Sequence, residues 1–312
     1  MKNINRILVI GSSNIDMVIY ADHFPVSGET IIGNRFLMNQ GGKGANQAVA
    51  VVRIGGIVTF VSKVGKDLFG EQTIESLQNE GVDISAVFID SDHPSGVAMI
   101  TVNKNAENCI VISPGANMNL SKSDIDKSIT RIKEFDILLM QLEIPLSTVL
   151  YAAKLGHELG KKVILNPAPA IALPDELYTY LYMITPNETE AEFLTGIQVT
   201  NEKTANKAAA LLNKKGVEVV IITMGAKGAY LFADGIMELI PSPKVVAIDT
   251  VAAGDTFNGA LAVALVECRN LCDAVSFANN AASIAVTREG AQSSIPFRNE
   301  IDESIISNLK LS

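Results

Sequence analysis

Three cysteines (Cys109, Cys268 and Cys272) cannot form an even disulfide framework, so the fold is not built on covalent staples. Cys268 and Cys272 stand at the i, i+4 spacing of one helical face, but no other cysteine and no nearby histidine completes a metal site. They read as reduced core thiols, the state expected in a cytoplasmic protein. His23, His93 and His157 are the only histidines, and their spacing suggests neither a triad nor a metal centre. Positive charge is in deficit: 25 Lys and Arg against 34 Asp and Glu leave a net charge of −9. That balance argues against nucleic-acid or anionic-membrane partners, although backbone amides and single lysines can still hold a phosphate. Long apolar runs are missing too. The first, at residues 7–10, is too short for an export signal, and Gly11, Asn14 and Asp16 keep it from extending. No window approaches the apolar length that spans a bilayer.

What remains is a chain of 312 residues, nearly half apolar, long enough to bury a large core. Short β-rich runs recur at 7–10, 58–61, 137–142, 162–165, 182–185 and 219–223, with helical patterns at 45–53, 70–80, 146–159, 188–194 and 205–215. The alternation predicts an α/β fold, a doubly wound, mainly parallel sheet flanked by helices. In such sheets ligands bind outside the carboxyl ends of the strands, where Asn14, Asp16, Glu143, Asn166, Asn187 and Thr223 fall. Two segments break the pattern. Residues 28–39 read as extended, and 96–113 as a hairpin around the polar turn 103–107. With 17–20 they would form a small inserted β-sheet, marginal by itself and therefore expected to serve as a lid or a dimer surface. The resulting division assigns 1–16, 40–95 and 114–312 to an α/β catalytic domain, and 17–39 and 96–113 to the lid.

The most informative stretch is Asp249-Thr250-Val251-Ala252-Ala253-Gly254-Asp255-Thr256-Phe257, because it leads into a helical apolar pattern at 258–267. A helix N-terminus carries unpaired N–H groups and the positive end of the dipole, so it attracts anions. Small side chains at 252–254 let a phosphate approach those amides. Asp255 beside a bound anion is a poor phosphate ligand but a suitable base, which suggests phosphoryl transfer to a hydroxyl. The plainer reading is that Asp255 caps the helix.

Other groups are individually ambiguous. Asn39-Gln40-Gly41-Gly42-Lys43-Gly44-Ala45-Asn46 precedes a helix but fails the P-loop pattern, since Gly44 comes after Lys43 where Ser or Thr is required. Lys43 and Asn46 are placed to donate hydrogen bonds to a polyol; the alternative is an ordinary tight loop. The dinucleotide fingerprint also fails, for Gly11-Ser12-Ser13-Asn14-Ile15-Asp16 lacks the second and third glycines. Asn187 and Glu190 lie one helical turn apart and could hold hydrated Mg²⁺ beside a triphosphate, or simply cap a helix. Thr223-Met224-Gly225-Ala226-Lys227-Gly228 could wrap a nucleotide or form a plain hairpin turn.

Taken in order, these groups resemble the ribokinase branch of the phosphofructokinase-B sugar-kinase family. The resemblance runs almost end to end, through residues 140–143, 165–170, 184–191 and 253–260 to Thr287-Arg288-Glu289-Gly290-Ala291-Gln292. One departure is that many members carry Gly-Ala-Gly-Asp where this chain has Ala252-Ala253-Gly254-Asp255. The resemblance implies that Asn14, Asp16, Gly42, Lys43, Asn46 and Glu143 hold ribose hydroxyls. Asp255 would take the proton of the 5-hydroxyl as it attacks the γ-phosphate of ATP, with the amides of Ala252, Ala253 and Gly254 stabilising the transferring group. Asn187, Thr223, Gly225, Ala226, Gly228, Gly254 and Asn279 would contact the nucleotide, and Glu190 would place Mg²⁺ through water. K⁺ activation is implied too, at Asp249, Val251, Ala285, Arg288, Gly290 and Ser294, of which only Asp249 and Ser294 could bind by side chain. A cytoplasmic homodimer joined through the lid is the expected assembly. The rivals are a kinase of a related sugar or nucleoside, such as deoxyribose or fructose, and a non-catalytic sugar sensor. A nicotinamide dehydrogenase lacks its glycine signature.

Overall fold

The computed structural model describes residues 6–105, 107–128, 130 and 133–309, with the backbone alone for 306–309. Its strands are β1 (Arg6–Ile10), β2 (Asn14–Tyr20), β3 (Arg35–Gly41), β4 (Ile57–Gly65), β5 (Asp83–Asp90), β6 (Gly96–Val102), β7 (Asn108–Ser113), β8 (Ile137–Met140), β9 (Lys162–Leu165), β10 (Met183–Ile184), β11 (Val219–Thr223), β12 (Ala229–Ala233) and β13 (Ile236–Ile240). Nine of them form one sheet in the order β13-β12-β11-β10-β9-β8-β1-β4-β5. It is parallel from β11 to β5 and closes with the antiparallel hairpin β12–β13.

The central strands are continuous apolar runs because both faces are covered. Ile7 and Val9 of β1 enter one core layer with Val49 and Val51 of the helix Lys43–Arg53 and Leu261 of the helix Ala253–Val266. Leu8 and Ile10 enter the other with Val149 of the helix Leu146–Glu158 and Leu212 of the helix Glu202–Lys214. Each such aliphatic side chain contributes roughly 1.5–3 kcal/mol on burial. The helix Ala253–Val266 is buried at every position from Asp255 onward, so its N-terminus is anchored by the core rather than by local propensity. No helix among the described residues is long and apolar enough to cross a membrane.

The chain leaves the main sheet twice to build a four-stranded sheet, β3-β2-β6-β7, in which β2 and β6 pair in parallel and both edges are antiparallel. β2 already begins at Asn14 and β3 runs to Gly41, so both site-bearing segments are strand ends of this sheet. The extended segment expected at 28–39 starts as strand only at Arg35. The edge strands β5 and β13 and the helix Leu271–Ala285 were not read from sequence; that helix buries mostly Ala, Ser and Asn, which give little periodic contrast. The cysteine reading is corrected. All three are free, but Cys109 and Cys268 are exposed, and Cys268 (φ 61°) ends one helix while Cys272 belongs to the next.

Candidate active site

β1 and β8 are neighbours from which successive strands proceed in opposite directions, and that reversal opens a crevice at their carboxyl ends. A cavity of about 440 Å³ occupies it. Along the strand order, Thr223 comes from the end of β11, Asn187 and Glu190 from beyond β10, Asn166 from β9, Glu143 from β8, and Asn14 and Asp16 from beyond β1. Gly42, Lys43 and Asn46 line it from one helix start, and Val251, Ala252, Gly254 and Asp255 from another. The small sheet covers it with alternate residues of two strands, Ala98 and Ile100 of β6 and Ile110 and Ile112 of β7.

Asp255 is the third residue of its helix and only 7 % exposed. It does not cap its own helix. Instead Asn46 Nδ2 donates to Oδ2 and Gln47 Nε2 to Oδ1, both at 2.9 Å. The helix starts at Ala252 in the left-handed region (φ 57°, ψ 10°) without any side-chain cap, and the Ala253 amide reaches only the Thr250 carbonyl, at 3.3 Å. Such a start holds donors available to an anion. A Cβ added at Gly254 would meet nothing within 4 Å, so the space above the turn is open. Asn258 Nδ2 ties Gly254 O at 2.8 Å, and Asn258 Oδ1 is itself held by Thr185 Oγ1 at 2.6 Å.

The glycine loop is shaped by close approach. Gly42 has φ 87°, and a Cβ there would lie 2.7 Å from the Asn14 amide nitrogen. Glu143 sits at the start of this second helix, its Oε2 accepting from Lys43 N at 3.1 Å and from Ser12 Oγ at 2.5 Å. The Asn46 Oδ1 is buried without a partner among the described residues, an acceptor that a ligand hydroxyl would satisfy. Four carboxylates share the cavity with one ammonium. Burial, then Glu143 and Asp255, push the Asp16 carboxyl up to about 7, against the opposing pull of Lys43. Burial disfavours the charge on Lys43, but Asp255, Glu143, Glu190 and Asp16 overcome it and raise its pKa. Burial also raises Glu190, in part offset by the Asn187 amide and Lys43.

At the other end, Asn187 and Glu190 form a reciprocal capping box: Glu190 N donates to Asn187 Oδ1 and Asn187 N to Glu190 Oε2, each at 2.8 Å. The capping alternative is thus realised, yet both residues also line the cavity, and Glu190 is only 8 % exposed. Of the turn after β11 only Thr223 lines the cavity; Gly225, Ala226 and Gly228 lie on the 3₁₀ turn beyond it. Asn279 lines neither this cavity nor its neighbour. Its Nδ2 donates to Ile240 O (2.9 Å) and Pro241 O (3.3 Å), pinning the start of the 241–250 segment.

Asp249 brings two distant segments together, accepting from Val251 N at 3.0 Å and Gly290 N at 2.9 Å. Asp249, Val251 and Gly290 line a second cavity of about 470 Å³, adjoining the first through Asp16, Ile100, Ile110 and Val251. Ala285, Arg288 and Ser294 do not line it; Arg288 pairs with Glu300 at 2.5 Å, and Ser294 Oγ donates to Ala291 O at 2.8 Å. One carboxylate, one hydroxyl and backbone carbonyls are the donor types a hard monovalent cation takes, so the residues fit K⁺ chemically. No cluster of three His, Cys, Asp or Glu capable of holding a metal exists among the described residues.

Residues not found from sequence also build the site. Gln47, Gln141, Asn117 and Asn258 are all buried polar side chains. Asn117 holds the turn before β2, its Oδ1 accepting from Ser13 N and its Nδ2 donating to Ser13 O and to Asn14 Oδ1. An amide inside a short 3₁₀ helix gives no pattern that sequence alone could flag.

A doubly wound sheet carrying a polar, carboxylate-rich pocket beside an uncapped helix start defines a phosphotransferase acting on a small polyhydroxylated acceptor. The comparisons with known proteins agree. A model of the pfkB family carbohydrate kinases matches residues 4–298, and the chain belongs to that family. It is 47 % identical over 292 residues to a ribokinase of Haemophilus influenzae, covering 94 % of this chain and 95 % of that one. It is also 39 % identical to a deoxyribokinase of Salmonella typhi, over 97 % and 99 % of the two chains. The solved structure of Arabidopsis thaliana ribokinase complexed with ribose and ATP superposes with a TM-score of 0.89 at 33 % identity, covering 96 % and 98 %. The protein is a carbohydrate kinase.

Proposed function

We propose that this kinase transfers the γ-phosphoryl group of ATP to the 5-hydroxyl of D-ribose, giving ribose 5-phosphate and ADP. The carrying observation is that one cavity joins the uncapped Ala252–Gly254 turn, the buried Asp255 carboxylate and the polar wall of Asn14, Asp16, Gly42, Lys43, Asn46 and Glu143. Carboxylates and amides suit vicinal hydroxyls. Asp255 takes the proton as the sugar oxygen bonds to the γ-phosphorus and the bond to the β–γ bridging oxygen breaks. The amides of Ala252, Ala253 and Gly254 stabilise the migrating charge. Asn187, the Thr223–Gly228 turn and Asn279 serve the nucleotide.

Four carboxylates against one lysine make a repulsive wall for a triphosphate, which supports a need for Mg²⁺ placed through water by Glu190. K⁺ held by Asp249, Val251, Ala285, Arg288, Gly290 and Ser294 would supply positive charge under the anion-binding turn. The lid comprises 17–39 and 96–113 on a catalytic domain of 1–16, 40–95 and 114–312. Its outer face exposes Phe36, Met38, Met99 and Val111 (46–67 % exposed), a patch suited to a homodimer in the cytoplasm.

ADP release measured across ribose, 2-deoxyribose and fructose, with and without K⁺, tests this reading. A site hydrogen-bonded to the 2-hydroxyl should favour ribose in kcat/KM by at least ~10-fold over 2-deoxyribose. The identity to the deoxyribokinase supports a second reading, which equal or inverted ratios would establish.

A further inference from the structure

Gln47 lies on the same helix as Lys43 and Asn46 but is completely buried and lines neither cavity. Every polar atom of its amide is spoken for. One N–H goes to Asp255 Oδ1 at 2.9 Å and the other to Asn166 Oδ1 at 3.1 Å, while Oε1 accepts from Gln141 Nε2 at 2.6 Å. This set fixes the orientation of the amide. Turned over, Gln47 would present its oxygen to two acceptors and its N–H₂ to a donor, leaving several buried groups unpaired.

The second amide on Asp255, from Asn46, is in a different position. Asn46 lines the cavity and its Oδ1 has no partner among the described residues, so its amide also has a bond to make outside the contact with Asp255. Gln47 has no such second duty. We infer that Gln47 is the positioning residue that aims the Asp255 carboxylate at the acceptor hydroxyl, and that Gln141 acts behind it by fixing which way the Gln47 amide faces. The inference rests on the reading of Asp255 as the base. The two helices are held close enough for this contact because Gly259, one turn beyond Asp255, packs on Ala50 and the Gln47 carbonyl; a Cβ there would lie 2.5 Å and 3.1 Å from them. The contact therefore joins the sugar-binding helix to the phosphate-binding helix at the reacting carboxylate.

A double-mutant cycle tests this. Gln47→Met keeps the length and apolar bulk but cannot donate. It should lower kcat roughly 10- to 100-fold, the scale for a misaimed catalytic group, while KM for ribose and for ATP stays within about 3-fold. Placed on Asp255→Asn, the same substitution should change kcat less than about 2-fold, because no carboxylate is left to aim. Equal fractional losses in both backgrounds, or unchanged kcat in Gln47→Met alone, would overturn the role of Gln47. Near-normal turnover in Asp255→Asn alone would instead remove the base. If Gln47→Met does not fold, Gln141→Met serves in the same cycle, with a smaller kcat loss that again disappears on Asp255→Asn; persistence of that loss refutes the relay.

Discussion

Three helix starts meet in this cavity, and they are treated differently. At Lys43 the positive end of the helix is already occupied by a carboxylate of the protein, Glu143. At Glu188 the helix caps itself, with Asn187 and Glu190 exchanging hydrogen bonds. At Ala253 no side chain caps the turn. A helix N-terminus is a generic anion attractor, so what distinguishes the sites is which start has been filled. The filled starts present polar side chains to the cavity. The vacant one leaves its amides available to an anion, as the proposed transfer requires. Cavity chemistry is thus set by where the protein withholds a cap as much as by what it places.

Filling the vacant start should abolish the difference. Gly254→Asp has room for its Cβ and places a carboxylate at the helix start, where it slightly stabilises the helix but occupies the anion hole. The expected loss in kcat is ~10²-fold or more, comparable to losing an oxyanion donor, with the melting temperature unchanged or raised. ADP release and thermal denaturation read the two effects separately. Emptying the filled start is the converse. Glu143→Gln removes the charge accepting from Lys43 N and Ser12 Oγ, and sugar kcat/KM should fall ~5- to 100-fold while KM for ATP changes little. An equal rise in KM for both substrates would show that the two starts are not functionally distinct.

Smaller effects concern the carboxylate crowd. The folded protein holds the Asp16 proton up to about pH 7, against 3.8 for an ordinary aspartate, so it binds more protons there than the unfolded chain. This group's contribution to stability is fully present below about pH 4 and is lost as pH rises through about 7. Asp16→Asn should therefore raise the melting temperature at about pH 8 more than at about pH 5; a gain independent of pH would contradict the origin given. The smallest change is expected at Ala252, a non-glycine residue at φ 57°. Left-handed backbone costs a residue with a Cβ about 1–2 kcal/mol, partly offset by the greater freedom of unfolded glycine. Ala252→Gly should shift stability by less than ~1 kcal/mol and leave turnover within ~2-fold, measured by denaturant titration and ADP release.

Legibility obeyed the same physics. The buried strands announced themselves, since β1, β8, β9 and β11 each carry an apolar run of three or four residues within a residue or two of the expected bounds. The cavity-lining residues at strand ends and helix starts were legible from the motif order, because backbone approach needs small residues and a polyol needs carboxylates and amides. The exposure of Cys109 and Cys268 was not, nor the hold of Asn279 on the Ile240 carbonyl, for both depend on which segments pack together. Gln47 and Gln141 adjoin residues that the motifs single out, yet nothing in a linear sequence says that residues 47, 141 and 255 form one hydrogen-bonded chain.

Residue order by itself determined the layer architecture, the inserted sheet and the two small-residue helix starts, because burial period and backbone reach are local properties of the chain. Only the tertiary structure decided which start stays uncapped, which amides grip Asp255 and that four acids crowd one lysine. Those outcomes depend on distances between segments far apart in the chain, and such distances are fixed by packing.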